Sequence, residues 1–97
     1  MSKLAIIGTI EVARGSRKQL LPFLMAHRAR CLKDEPGTLQ FEALLPNDNE
    51  TKIMLYEVYQ NAAAFEAHWN GPSLARMREE AASMIVKIYG TRCSLSE

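Results

Sequence analysis

The sequence is short of most groups that announce a chemistry. It has two cysteines, Cys31 and Cys93, far apart and in neither a redox nor a zinc-binding spacing. Two reduced, partly buried thiols are expected rather than a disulfide framework. There is no glycine-rich phosphate loop, no nucleophile elbow and no Cys/His motif visible along the chain. Net charge is almost nil, since twelve Lys and Arg against eleven Asp and Glu leave +1. With no basic stripe carrying interleaved aromatics, nucleic acid is not an expected partner. No apolar run approaches the roughly 20 residues of a membrane span, so no membrane partner is expected either. The opening "MSKLAIIGTIEV" shows no signal-cleavage pattern, which makes the cytoplasm the expected compartment.

What remains is an ordinary globular composition. It is 47% hydrophobic and 24% charged, which excludes disorder and fibrous repeats, and residues 1–97 are expected to form one domain. Residues 3–13 read as a strand with Leu4, Ile6, Ile10 and Val12 on one face and Ala5, Ile7 and Thr9 on the other. Ser16 and Gln19 resemble a capping box for a helix reaching about residue 33, although Pro22 argues for a late or distorted start. Pro36-Gly37 suits a type II turn. Strands are expected at 38–45 and 51–59, the second apolar on both faces. Asn61 is a good N-cap for a helix stopped at Gly71-Pro72, Ser73 can cap another, and a last strand covers 84–93.

The order β-α-β-β-α-α-β is that of an α+β, ferredoxin-like protomer with a four-stranded antiparallel sheet. Helices on one face leave the other exposed, yet the first and third strands are apolar on both sides. A homodimer packed through the open sheet face is the economical solution.

Three pieces then read together: Glu35-Pro36-Gly37 before a strand, Tyr56-Glu57 with Tyr59 at a strand end, and Ala63-Ala64-Phe65 with His68 on the next helix. This pattern resembles the antibiotic biosynthesis monooxygenase family, especially its small quinol-monooxygenase-like members, over about residues 3–92. The resemblance implies a dimeric α+β barrel with a ligand cavity between sheet and helices. It also implies oxidation of a quinol or polycyclic phenol by dioxygen, with no cofactor and no metal. Relatives of the same architecture isomerise a phosphorylated quorum-sensing sugar or degrade haem, and a non-catalytic ligand-binding dimer is a further alternative.

Few residues can carry such chemistry. His68 shares the inward face of Ala64 and Phe65, and a base titrating near neutral pH suits removal of a phenolic proton. It can equally be a hydrogen-bonded histidine closing a helix end. Glu57, half-buried on its strand, can orient His68 or His27 or pair with Arg28 or Arg92. Tyr56, on the opposite face from Glu57, can donate to a substrate oxygen or serve as core. His27 sits at the edge of the first helix's apolar stripe. Phe41, Phe65 and Trp69 can wall an aromatic ligand, with Trp69 about 100° around the helix from His68. Arg92 is a possible cation for an anionic substrate. The candidates are therefore His68, Tyr56 and Glu57 for catalysis, and His27, Phe41, Phe65, Trp69 and Arg92 for binding.

Overall fold

The computed structural model describes residues 2–96. Alternating aliphatic residues give strands β1 (Leu4–Val12), β2 (Thr38–Leu44), β3 (Lys52–Tyr59) and β4 (Ile85–Ser94). Between them run helices α1 (Arg17–Asp34), α2 (Ala62–Trp69) and α3 (Pro72–Glu80). The strands lie in the order β2-β3-β1-β4 with every neighbouring pair antiparallel. This is the expected α+β ferredoxin-like arrangement, and each expected element is present.

Register decides which residues meet the helices. Ile6 faces Glu57 and Arg92, Ile10 faces Ile53 and Ile88, and Phe41 faces Glu57. That side of the sheet packs Ile10, Phe41, Ile53 and Leu55 against Leu20 and Leu24 of α1 and Leu74 and Met77 of α3. Burial of these side chains, at roughly 1.5–3 kcal/mol each, holds the layers together. The other side carries Ala5, Ile7, Thr9, Met54, Tyr56, Val58 and Tyr89. Ile7 is 42% exposed and Tyr89 40%, so an apolar strip stays open to solvent.

Three local expectations are corrected. α1 starts at Arg17, not later, and Pro22 lies inside it. The proline forfeits one backbone hydrogen bond, while the buried face of Leu20, Leu24, His27 and Cys31 keeps the helix in place. No capping box forms, because Ser16 has helical torsions (φ −99°, ψ −7°) and its side chain makes no cap bond. The main chain starts the helix instead, with Leu20 N–H donating to Ser16 O at 2.9 Å. Finally, Gly37 does not occupy a type II turn, since the one positive φ among the described residues belongs to Gly15. By contrast, Asn61 caps α2 as expected and accepts from Ala64 N–H at 2.9 Å. α3 takes Pro72 into its first turn behind Gly71, which frees the Ser73 hydroxyl for other bonds.

Space, and not torsion, accounts for the glycine at position 37: a Cβ there would lie 2.4 Å from Ala64 Cβ. Gly37→Ala is expected to destabilise the protein by about 1–3 kcal/mol through overpacking. Chemical denaturation should also show that Ala64→Gly costs less in the Gly37→Ala background than in wild type. Equal costs in both backgrounds would mean the two positions do not press on each other.

Candidate functional site

Seven side chains from four elements and the α1–β2 turn converge at one end of a cavity between sheet and helices. His27 and Cys31, one turn apart on α1, are 1% and 0% exposed. His68 near the end of α2 is 3% exposed and turns toward them. Glu35, at the C-terminus of α1, reaches back to His68, its Oε1 lying 2.9 Å from His68 Nδ1. Thr38 Oγ1 donates to the same oxygen at 2.8 Å. On the sheet side, Glu57 Oε1 lies 3.8 Å from His68 Nε2, and the Tyr59 hydroxyl donates to Glu57 Oε1. His68 is thus bracketed by two carboxylates.

A second set of contacts surrounds Cys31. Its Sγ lies 3.5 Å from His68 Nδ1 and from His27 Nδ1, and 3.7 Å from His27 Nε2. His27 Nδ1 meets Ser73 Oγ at 2.9 Å, and Arg30 Nε donates to that oxygen at 2.8 Å. Among the described residues, no buried side-chain nitrogen or oxygen lacks a partner.

Burial shapes the proton affinities. It pushes the Cys31 thiol up to about 12, reinforced by the nearby charge of Glu35. Burial, the positive charge of a protonated His68 and then Arg30 bring His27 down to about 4. The Glu57 carboxyl is raised by burial, against the opposing pull of Tyr59 and His68. Burial also acts to raise Glu35, but hydrogen bonds from His68 and Thr38 outweigh it and hold that carboxyl below its ordinary value. Tyr59 is raised by burial and by Glu57. One carboxylate beside His68 therefore favours its charge, while the other favours a proton.

The cavity measures about 380 Å³. Ile6, Gly8, Leu55, Phe41 and Phe65 wall it, with Glu57, His68 and His27 at the polar end. Trp69, Glu66 and Arg92 stand at the mouth. Trp69 is 40% exposed and stacks on Phe65 at 6.1 Å between centroids. Arg92 pairs with Glu66 at 2.6 Å and lies 4.9 Å above the Phe65 ring. A small, largely apolar ligand with one oxygenated end matches this lining.

Residues 4–80 match the profile of the antibiotic biosynthesis monooxygenase family. The chain belongs to that family. It is 35% identical over 69 residues to a Mycobacterium tuberculosis (strain H37Rv) protein named heme oxygenase (mycobilin-producing), covering 71% of this chain. The match spans 65% of the relative's length, just under two thirds. Two solved structures of antibiotic biosynthesis monooxygenase type share the fold. One, from Caulobacter crescentus, has a TM-score of 0.91 at 13% identity, covering 99% of this chain and 92% of the other. One from Nitrosomonas europaea has a TM-score of 0.88 at 19% identity, covering 97% and 90%.

In this family member the cavity gathers seven of the eight candidate residues: His68, Glu57, His27, Phe41, Phe65, Trp69 and Arg92. Tyr56 is the exception and a correction. It pairs with Ile7 and Glu42 on the opposite face of the sheet, and strand alternation turns its hydroxyl away from the cavity. Tyr59, three residues on, shares the face of Glu57 and donates its hydroxyl to that carboxylate. Glu57 pairs with neither suggested arginine, because Arg28 binds Phe41 O and Glu42, and Arg92 binds Glu66. Trp69 lines the mouth and also packs, with Arg78 4.6 Å from its ring centroid.

Sequence reasoning missed Glu35, Cys31, Tyr59 and Ser73. Glu35 had been quoted only as part of a turn. Cys31 stands four residues after His27, a spacing that puts both on one helical face, and that signal was legible. Among the described residues, no helix is long and apolar enough to cross a membrane.

Proposed function

We propose that this family member oxidises a quinol or polycyclic phenol with dioxygen, and that His68 removes the phenolic proton. The observation supporting this reading is the placement of His68 between Glu35 at 2.9 Å and Glu57 at 3.8 Å, at the end of an otherwise apolar cavity. Glu35 accepts the Nδ1 proton, which leaves the Nε2 lone pair toward Glu57 and the ligand space. A phenol bound oxygen-first gives its proton to Nε2, and the resulting imidazolium is held by Glu35. The phenolate is then electron-rich enough to react with dioxygen. For a quinol, one oxygen atom enters the product as a hydroxyquinone and the other leaves as water. The substrate itself supplies the electrons, and the chain's own residues supply the base.

The alternatives fit less well. A phosphorylated sugar needs cations in the cavity, but Arg92 is tied to Glu66 at the mouth, and Arg28 is engaged at β2. Lys87 lies 5.2 Å from the ring of Tyr89, on the far side of the sheet. Haem brings an iron that seeks a free imidazole and two propionates that seek cations. Arg92 at the mouth is already paired with Glu66, so the propionates find no free cation there. The exposed strip around Ile7 and Tyr89 supports a homodimer closed through the open sheet face.

The test is oxygen uptake by chelator-treated protein across a panel of reduced quinols and anthrones. Uptake above the autoxidation blank is the expected result. A flat trace with the whole panel would overturn the monooxygenase in favour of a non-catalytic binding dimer.

A further inference from the structure

We propose that His27, Cys31 and His68 form a metal-binding site for a zinc-like divalent cation, with Glu35 as the fourth ligand. One donor atom from each of the first three lies within 4.8 Å of the others, and all three residues are buried. Two neutral imidazoles and a thiolate form a donor set that favours zinc over magnesium or calcium. With zinc–sulfur bonds near 2.3 Å and zinc–nitrogen bonds near 2.0–2.1 Å, tetrahedral geometry separates sulfur and nitrogen by about 3.5 Å. Cys31 Sγ stands 3.5 Å from His68 Nδ1 and 3.7 Å from His27 Nε2, so two edges of the tetrahedron are already in place.

Glu35 stands outside the three mutually close donors and would join them from the His68 side. Glu35 Oε1 lies 2.9 Å from His68 Nδ1, where the proton they share yields its place to the metal. A divalent ion with one thiolate and one carboxylate is formally neutral, which meets the main objection to burying a charge.

Outer partners are present as well. A metal on His27 Nε2 leaves Nδ1–H to donate to Ser73 Oγ at 2.9 Å, itself fixed by Arg30. A metal on His68 Nδ1 leaves Nε2–H facing Glu57 Oε1 at 3.8 Å. Such contacts orient ligating histidines in metal proteins. The cavity, lined by His27 and His68, provides the entry path. The inference does not depend on the monooxygenase reading. It opposes it at one atom, because a metal on Nδ1 converts Nε2 from base to donor, so occupancy and base catalysis by His68 exclude each other.

The experiment is cobalt(II) titration of chelator-treated, reduced protein, followed by zinc competition, with no substrate present. The expected result is one cobalt per chain with a thiolate-to-cobalt charge-transfer band in the near ultraviolet and tetrahedral visible bands, all displaced by zinc. Cys93→Ser should keep the band, Cys31→Ala should lose it, and His27→Gln should weaken binding at least tenfold. Because a buried Cys31 variant can misfold, X-ray absorption on zinc-loaded wild type supplies a second readout: one sulfur scatterer near 2.3 Å. No charge-transfer band, a band that survives Cys31→Ala, or a sulfur-free zinc shell would each overturn the site.

Discussion

Replacing His68 with glutamine is expected to lower substrate-dependent oxygen uptake by about 10²–10⁴-fold, the usual scale for loss of a positioned general base. Glutamine keeps a donor toward Glu35 and similar volume in a position that is 3% exposed, so the fold should survive. Substrate affinity should change little, because the apolar walls are untouched, and the loss should fall on kcat. Glu35→Gln separates positioning from chemistry. It removes the charge that holds the Nδ1 proton 2.9 Å away while leaving His68 in place. Its expected effect is smaller, about tenfold, and it should fall on kcat, because the imidazole loses the partner that fixes its tautomer and orientation. Unchanged uptake in His68→Gln would remove this residue from the chemistry.

The second large effect is expected in acid, in metal-free protein. Burial, His68 and Arg30 together lower His27 from 6.5 to about 4. Between those two values the unfolded chain takes up a proton that the folded chain refuses. Stability contributed by the neutral, buried His27 is therefore complete above pH 6.5 and is lost as pH falls through the window to about 4. At 1.36 kcal/mol per pH unit the loss amounts to about 3 kcal/mol. His27→Gln, which cannot charge, should be less stable than wild type at pH 7. Relative to wild type it should improve steadily from pH 6.5 to about 4, as read from urea unfolding at constant slope. A difference independent of pH would show that His27 binds its proton equally in both states.

Much of the fold was legible because strand alternation and one helix cap carried it. The two-sided pattern of Ile53 to Tyr59 located β3, and Asn61 fixed where α2 begins. Pro22 misled, since the cost of one lost hydrogen bond is set against a helix face whose burial becomes visible only when the sheet is in place. The site was legible wherever one element displayed it, as with His68, Phe65 and the candidate Glu57. It failed where two distant segments must meet. Glu35 reaches His68 across 33 positions, and nothing in an Glu-Pro-Gly turn says which way its carboxylate bends. Tyr56 and Tyr59 lie three apart in a strand, so alternation already set Tyr59 beside Glu57, and only the packing of the helices tells which face becomes the cavity side. Ser73 became available because α3 begins two residues earlier than its own capping ability suggested.

One property of the cavity bears on how such a protein can diversify. Glu57, His68 and His27 sit at the buried end, whereas Trp69, Glu66 and Arg92 stand at the solvent end and take no part in that cluster. Exchanges at those three positions would retune which molecules are admitted while leaving proton handling intact. Novel specificities are then reachable by single surface substitutions, each neutral toward the core. A lineage carrying this chain can drift among ligands without first dismantling its chemistry.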